Sequence, residues 1–119
     1  MQFRWVNQIL RNLMENAIKY NVPGGLVRVI TRREGDWVCL EVSDTGVGIP
    51  EADRNRIFER FYRVDKARSR DAGGTGLGLS IVRDTVQLHG GSVSVAANEP
   101  TGTIFTVLLP AWLEEEEWP

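Results

Sequence analysis

Between Arg4 and Tyr20 the apolar residues Val6, Ile9, Leu10, Leu13, Ala17 and Ile18 recur at helical spacing, and beyond "NVPGG" that rhythm gives way to alternation. The first pattern is one buried face of an α-helix, stopped by a proline and two glycines. Val27, Val29 and Thr31 then alternate with Arg28, Ile30 and Arg32. "REGDW" turns the chain, and Val38, Leu40 and Val42 alternate with Cys39, Glu41 and Ser43. Two neighbouring antiparallel strands are predicted. After "DTGVGIP" a short helix is expected from Glu51 to about Phe58, with Pro50 near its start. Residues 62–75 carry charge, serine and glycine without periodicity and read as a mobile loop. Leu77, Ile81, Val82, Val86 and Leu88 outline a second helix, ended by Gly90 and Gly91 at positions that suit a left-handed C-cap. Val93 and Val95 mark a third strand, and Ile104 to Leu109 a fourth, apolar almost throughout and therefore buried. Helices over 4–20 and 76–89 with strands on both sides of the second imply an α/β two-layer sandwich, a mixed sheet with both helices on one face.

The chain has 119 residues, enough for one domain, read as 1–119, with one core. Cys39 is the lone cysteine and His89 the lone histidine, which excludes an internal disulfide and argues against structural zinc. No stretch approaches the roughly 20 apolar residues of a membrane span. A reducing, cytoplasmic location fits. Net charge is -2, yet seven of the fourteen Lys and Arg residues fall between Arg54 and Arg70. Such a basic segment beside glycines suits a polyanion. Without a basic helix carrying stacking aromatics, a small phosphate ligand is favoured over nucleic acid. Glu114 to Glu117 read as a solvated acidic end.

Three constellations can carry chemistry. Asn12, Asn16 and Tyr20 follow one another at four-residue steps, with Lys19 three residues after Asn16, so one stripe beside the buried face gathers two amides, an ammonium and a phenol. These are either exposed helix residues or contacts for a metal and phosphates. Each Asn costs about 0.5 kcal/mol against Ala in a helix. Mg²⁺ needs only one amide oxygen when nucleotide phosphates complete its shell. Asp44 shares a strand face with Val38, Leu40 and Val42, which aims a carboxylate to the apolar side as the strand ends. It either accepts N–H bonds from the "TGVG" turn or meets a ligand amine, such as the 6-amino group of adenine. In the second case Gly46 and Gly48 would let a planar base lie against the backbone. Gly74, Gly76 and Gly78 lead into the second helix, whose free N–H groups favour an anion. The stretch "GGTGLGLS" is no Walker loop, because it lacks the lysine.

In this order, "NLMENAIKY", "DTGVGIP", "RIFERFYR" and "GGTGLGLS" closely resemble the N, G1, F and G2 boxes of the ATP-binding catalytic domain of sensor histidine kinases. The resemblance covers essentially the whole chain. It implies the Bergerat α/β sandwich with a mobile ATP lid, shared with gyrase, heat-shock chaperone and mismatch-repair ATPases. It also implies roles: Asn16 as Mg²⁺ ligand, Asn12 beside the phosphates, Lys19 on phosphate, Tyr20 at the nucleotide and Asp44 on the adenine amine. Gly46, Gly48 and Ile49 would shape the base pocket, and Phe58 and Phe61 would anchor the lid. Arg63 would reach the terminal phosphate, while Gly74, Thr75, Gly76, Leu77, Gly78 and Leu79 would admit the phosphate chain.

The implied activity is transfer of the γ-phosphoryl group of Mg-ATP to a histidine on a separate helical dimerisation domain. A response regulator acts downstream, and the parent kinase is compatible with an inner-membrane anchor. The hydrolytic relatives place a general-base Glu four residues before the metal-binding Asn, where this chain has Asn12. Water activation is therefore unsupported, and Glu15 is a secondary candidate near the γ-phosphate. His89, roughly 20 Å along the helix from Gly76, is no acceptor, so the chain alone is not expected to phosphorylate itself. The alternatives are a noncatalytic nucleotide-switched interaction module and an anti-sigma-factor-type serine kinase.

Overall fold

Helix α1 spans Arg4–Lys19 and turns Ile9, Leu13 and Ala17, spaced by four, into the interior, where none is more than 1% exposed. Four-residue spacing keeps the three on one face of the cylinder. The computed structural model describes residues 4–62 and 78–111. Strands β1 (Val27–Glu34) and β2 (Trp37–Asp44) follow, then helix α2 (Gly78–Leu88) and strands β3 (Ser92–Ala97) and β4 (Thr103–Pro110).

The sheet order is β1-β2-β4-β3. The expected mixed sheet is not found, since all three pairings among the described residues are antiparallel. β2 and β3 do run parallel, and α2 lies on the connection between them. The slot that would join them is filled by β4, which pairs with both. Register then builds rows across three strands: Leu40 beside Val107 beside Val93, and Val42 beside Phe105 beside Val95. Both helices pack on this face, and Val82 and Val86 of α2 are fully buried with Phe105 and Val107. Edge strand β1 is poorly covered, and Val29 is 40% exposed although it faces the helix side beside Val42. Arg28, Arg32, Arg33 and Glu34 make that edge charged, which discourages pairing with another strand.

The segment after β2 differs from the helix expected over residues 51–58. A 3-10 turn covers Glu51–Asp53, and the chain continues through three-residue backbone bonds, Arg56 N–H to Asp53 and Glu59 N–H to Arg56, both 2.9 Å. Ile57 is buried and Phe58 packs against the core, so tertiary anchoring overrides the weak local preference for helix.

Gly90 and Gly91 close α2 as expected. Gly91 N–H reaches the Val86 carbonyl at 2.9 Å and Gly90 N–H the Gln87 carbonyl at 3.1 Å, with Gly90 at φ 81. This is a Schellman cap. The two glycines are needed for different reasons. A β-carbon at Gly90 meets only Pro110 Cγ at 3.6 Å, whereas one at Gly91 falls 2.2 Å from the Leu108 carbonyl oxygen. Gly90→Ala should therefore lower stability by about 1 to 2 kcal/mol through left-handed strain alone. Gly91→Ala should cost more, because β4 backbone must move. Urea unfolding midpoints check the order, which is reversed if the cap conformation rather than the strand contact dominates.

Candidate functional site

Asp44 ends β2 on the helix-facing side and is 4% exposed. Its Oδ1 accepts the Gly46 N–H at 2.9 Å, and the Thr103 backbone N–H also donates to its carboxylate. Burial pushes the carboxyl above the usual aspartate range, and the two backbone donors pull it partly back. The turn therefore supplies one N–H bond to Asp44, through Gly46, as one of the two sequence readings required, and β4 supplies the other.

The loop that follows is held from both sides. Thr45 N–H donates to the Leu26 carbonyl and Val47 N–H to the Tyr20 carbonyl, each at 3.2 Å, while Thr45 Oγ1 accepts the Leu26 N–H at 2.9 Å. Asn21 closes the neighbouring 21–26 turn through Nδ2 to the Leu26 carbonyl at 3.0 Å. A β-carbon at Gly46 would fall 2.2 Å from the Tyr20 carbonyl oxygen. The chain just beyond α1 therefore leaves no room for a side chain at this position. Gly48 has φ 76 and abuts the Gly102 carbonyl.

The amide stripe of α1 approaches the start of α2. Asn12 and Asn16 are half-buried beside Leu13 and Ala17, whereas Glu15 and Lys19 are exposed. A β-carbon at Gly78 would sit 3.8 Å from Asn12 Oδ1, so the first turn of α2 faces the amide. Tyr20 is half-buried, with its carbonyl committed to Val47. Ile49 and Leu79 pack against the edge of the core. Arg63, Gly74, Thr75, Gly76 and Leu77 lie outside the described residues, as does nearly all of the expected lid.

Phe58 docks edge-on against Phe105, with ring centroids 6.1 Å apart. Phe61, expected as a second anchor, is 65% exposed at φ 66 with Arg60 over its ring. Tyr62 packs in its place: it borders the core, its hydroxyl donates to Asp53 Oδ1, and the Arg56 guanidinium lies 4.5 Å from its ring centre. An open cleft of about 890 Å³ lies beyond, lined by Glu51, Arg54, Phe58, Val93 and Val95, and of the expected site residues it includes Phe58 alone.

His89 caps α2 at the end opposite Gly78. Its ring stacks on Trp5, centroids 3.7 Å apart, and its Nδ1 lies 2.8 Å from the Thr85 carbonyl. Among the described residues no three His, Cys, Asp or Glu side chains gather as a metal site. Sequence reasoning missed Thr103, 5% exposed and opposite Asp44. Its parity with Phe105, Val107 and Leu109 was the available signal.

Residues 2–113 match the family described as histidine kinase-, DNA gyrase B-, and HSP90-like ATPase. The sensor histidine kinase WalK of Bacillus subtilis is 44% identical over 114 residues, 94% of this chain. The chain spans only 19% of that relative's length. The structure of the mycobacterial sensor histidine kinase MprB superposes with a TM-score of 0.81 at 36% identity, covering 92% of this chain and 74% of the other. Full-length ShkA in complex with AMPPNP matches at a TM-score of 0.74 and 34% identity, covering 89% of this chain and 21% of that one. The architecture is the Bergerat sandwich of these domains. With the match running across nearly all of its length, the chain belongs to the histidine kinase-, DNA gyrase B-, and HSP90-like ATPase family.

Proposed function

We propose that this chain binds Mg-ATP between α1, the 44–49 loop and the start of α2, and presents the γ-phosphoryl group to a histidine on a separate helical domain. The observation that carries this reading is Asp44: a carboxylate 4% exposed, held by two backbone donors at the mouth of a loop pinned on both sides. Transfer to a histidine is the known role of the family in sensor kinases, and the relatives named above support it. A phosphorylated response regulator is the corresponding downstream partner.

In this reading the ionised Asp44 accepts a hydrogen bond from the adenine amine while its Gly46 and Thr103 bonds keep it oriented. Asn12 and the first turn of α2 face the phosphates, where the helix start favours negative charge. Asn16 would hold Mg²⁺. The residues fit that ion, since a half-buried amide oxygen supplies one hard ligand and the phosphates and waters supply the others. When bound, the metal neutralises charge on the phosphates. The protein's part is positioning and charge complementarity, which is most of what phosphoryl transfer requires. No carboxylate stands at Asn12 to activate water. His89 is packed against Trp5 roughly 16 Å from Gly78, the length of α2, and in-line transfer needs reacting atoms about 3 to 3.5 Å apart. The acceptor is therefore another domain.

Asp44→Asn should leave the fold intact and weaken ATP binding by about 10- to 100-fold, the loss of a charge-assisted bond. Affinity of the parent chain should fall as pH drops towards the raised Asp44 value, because protonation removes the acceptor. The fold responds with the opposite sign: the native carboxyl holds its proton more tightly than the unfolded chain does, so this group's contribution to stability is full at low pH and is lost as pH rises through the folded value. Calorimetric titrations and unfolding curves across pH 4 to 8 read both slopes, and a pH-independent affinity removes Asp44 from the base contact.

Asn16→Ala should weaken binding in Mg²⁺ far more than binding in chelator. Equal losses in the two buffers would take the metal away from Asn16. The isolated chain, incubated with γ-labelled ATP, should remain unlabelled, and a histidine-bearing helical hairpin added to it should take up acid-labile phosphate. Label on His89 would overturn the proposal; binding of ATP without transfer to any cognate hairpin would favour the noncatalytic switch.

A further inference from the structure

We infer that the β3–β4 turn, residues 98–102, is a positioning element of the base pocket, with Asn98 and Thr101 as positioning residues that act through the 44–47 backbone. The inference rests on the assignment of Asp44 to the nucleotide base.

Three consecutive peptide groups leave β2, and each is fixed. The 44–45 peptide donates its N–H to Leu26 at 3.2 Å, and its carbonyl accepts Asn98 Nδ2 at 2.8 Å. The 45–46 peptide donates its N–H to the Asp44 carboxylate. The 46–47 peptide donates its N–H to the Tyr20 carbonyl at 3.2 Å, and its own carbonyl accepts the Thr101 hydroxyl at 2.9 Å. The outer two peptides donate to the segment joining α1 to β1 and accept from the 98–102 turn, so the loop behaves as a short extension of the ladder. On the α1 side its partners are backbone groups, indifferent to residue type. On the turn side they are two side chains.

Those side chains are themselves oriented. Asn98 Oδ1 accepts the Glu99 N–H at 2.9 Å, which leaves its Nδ2 to face Asp44, and Asn98 N–H closes the turn on the Gly102 carbonyl at 3.1 Å. Gly102, at φ 110, admits the approach, since a β-carbon there would lie 2.0 Å from the Asp44 carbonyl oxygen. The backbone of Asp44 is thus gripped next to the side chain that selects the base. Loss of either grip frees the carboxylate to shift while the core rows of β2 and β4 stay in place. Its cost falls on discrimination between an amine and a carbonyl on the purine, not on phosphate binding.

The test uses the whole chain with Thr101→Val, which keeps the shape and removes the donor, Thr101→Ser, which restores it, and Asn98→Ala. ATP and GTP are titrated against a fluorescent ATP analogue, and thermal midpoints are recorded alongside. Thr101→Val and Asn98→Ala should each weaken ATP by about 2- to 10-fold, the worth of one hydrogen bond, and leave GTP unchanged. Thr101→Ser should recover the parent's preference. Should Thr101→Val fold poorly, Asn98→Ala still decides. Equal losses for ATP and GTP, or parent-like ATP affinity in both donor-less variants, overturn the inference while the nucleotide reading stands. A parent chain that binds the two purines alike overturns the Asp44 assignment and the inference with it.

Discussion

Asp44 places a carboxyl where it is 4% exposed, and its ionised form is held there only if donors replace the water it gives up. The donors are backbone N–H groups of Gly46 and Thr103, one from the loop that follows and one from the neighbouring strand. That requirement fixes much else. The loop must turn back within two residues, which brings Gly46 against the end of α1 so closely that no side chain fits. β4 must begin opposite the end of β2, which places the 98–102 turn over the same loop.

The two helices supply the other half of the proposed site. α1 owes its place to Ile9, Leu13 and Ala17, and the half-buried Asn12 and Asn16 stand one residue before Leu13 and Ala17 on the adjoining stripe. α2 is seated by Val82 and Val86 and fastened at its far end by the Gly90–Gly91 cap. Packing of apolar faces therefore sets how near the amides stand to Gly78, and polar function is placed by apolar geometry.

Local periodicity made the helices, the strands and the inward parity of Asp44 legible, because these depend on neighbours along the chain. Gly90 was readable as a left-handed cap for the same reason. The pairing of β4 between β2 and β3 was not, since nothing in either strand names a partner far along the chain; the expectation of a mixed sheet failed there. Thr103 and Asn98 went unnoticed because their significance comes from that register. Phe61 was named as a lid anchor through the family resemblance alone, and nothing in the local pattern announced its positive φ or the packing of Tyr62 against the core. The contact of Gly46 with the Tyr20 carbonyl was equally hidden, because it joins two segments distant in the chain.

The order β1-β2-β4-β3 has a consequence for how the chain is made. The strand at the centre of the core is the last of the described strands to leave the ribosome. Until β4 emerges, β2 has β1 on one side only and β3 has no partner, so two apolar edges wait unpaired. Domains form at the pace of synthesis, about 5 to 20 residues per second, and exposed strand edges are the surfaces on which nascent chains associate. A sheet completed from the middle by its final segment folds all at once and late, with contacts distant in sequence that slow the search. Assembly of the proposed nucleotide site shares that timing, because Thr103 and the 98–102 turn arrive with the strand that closes the sheet.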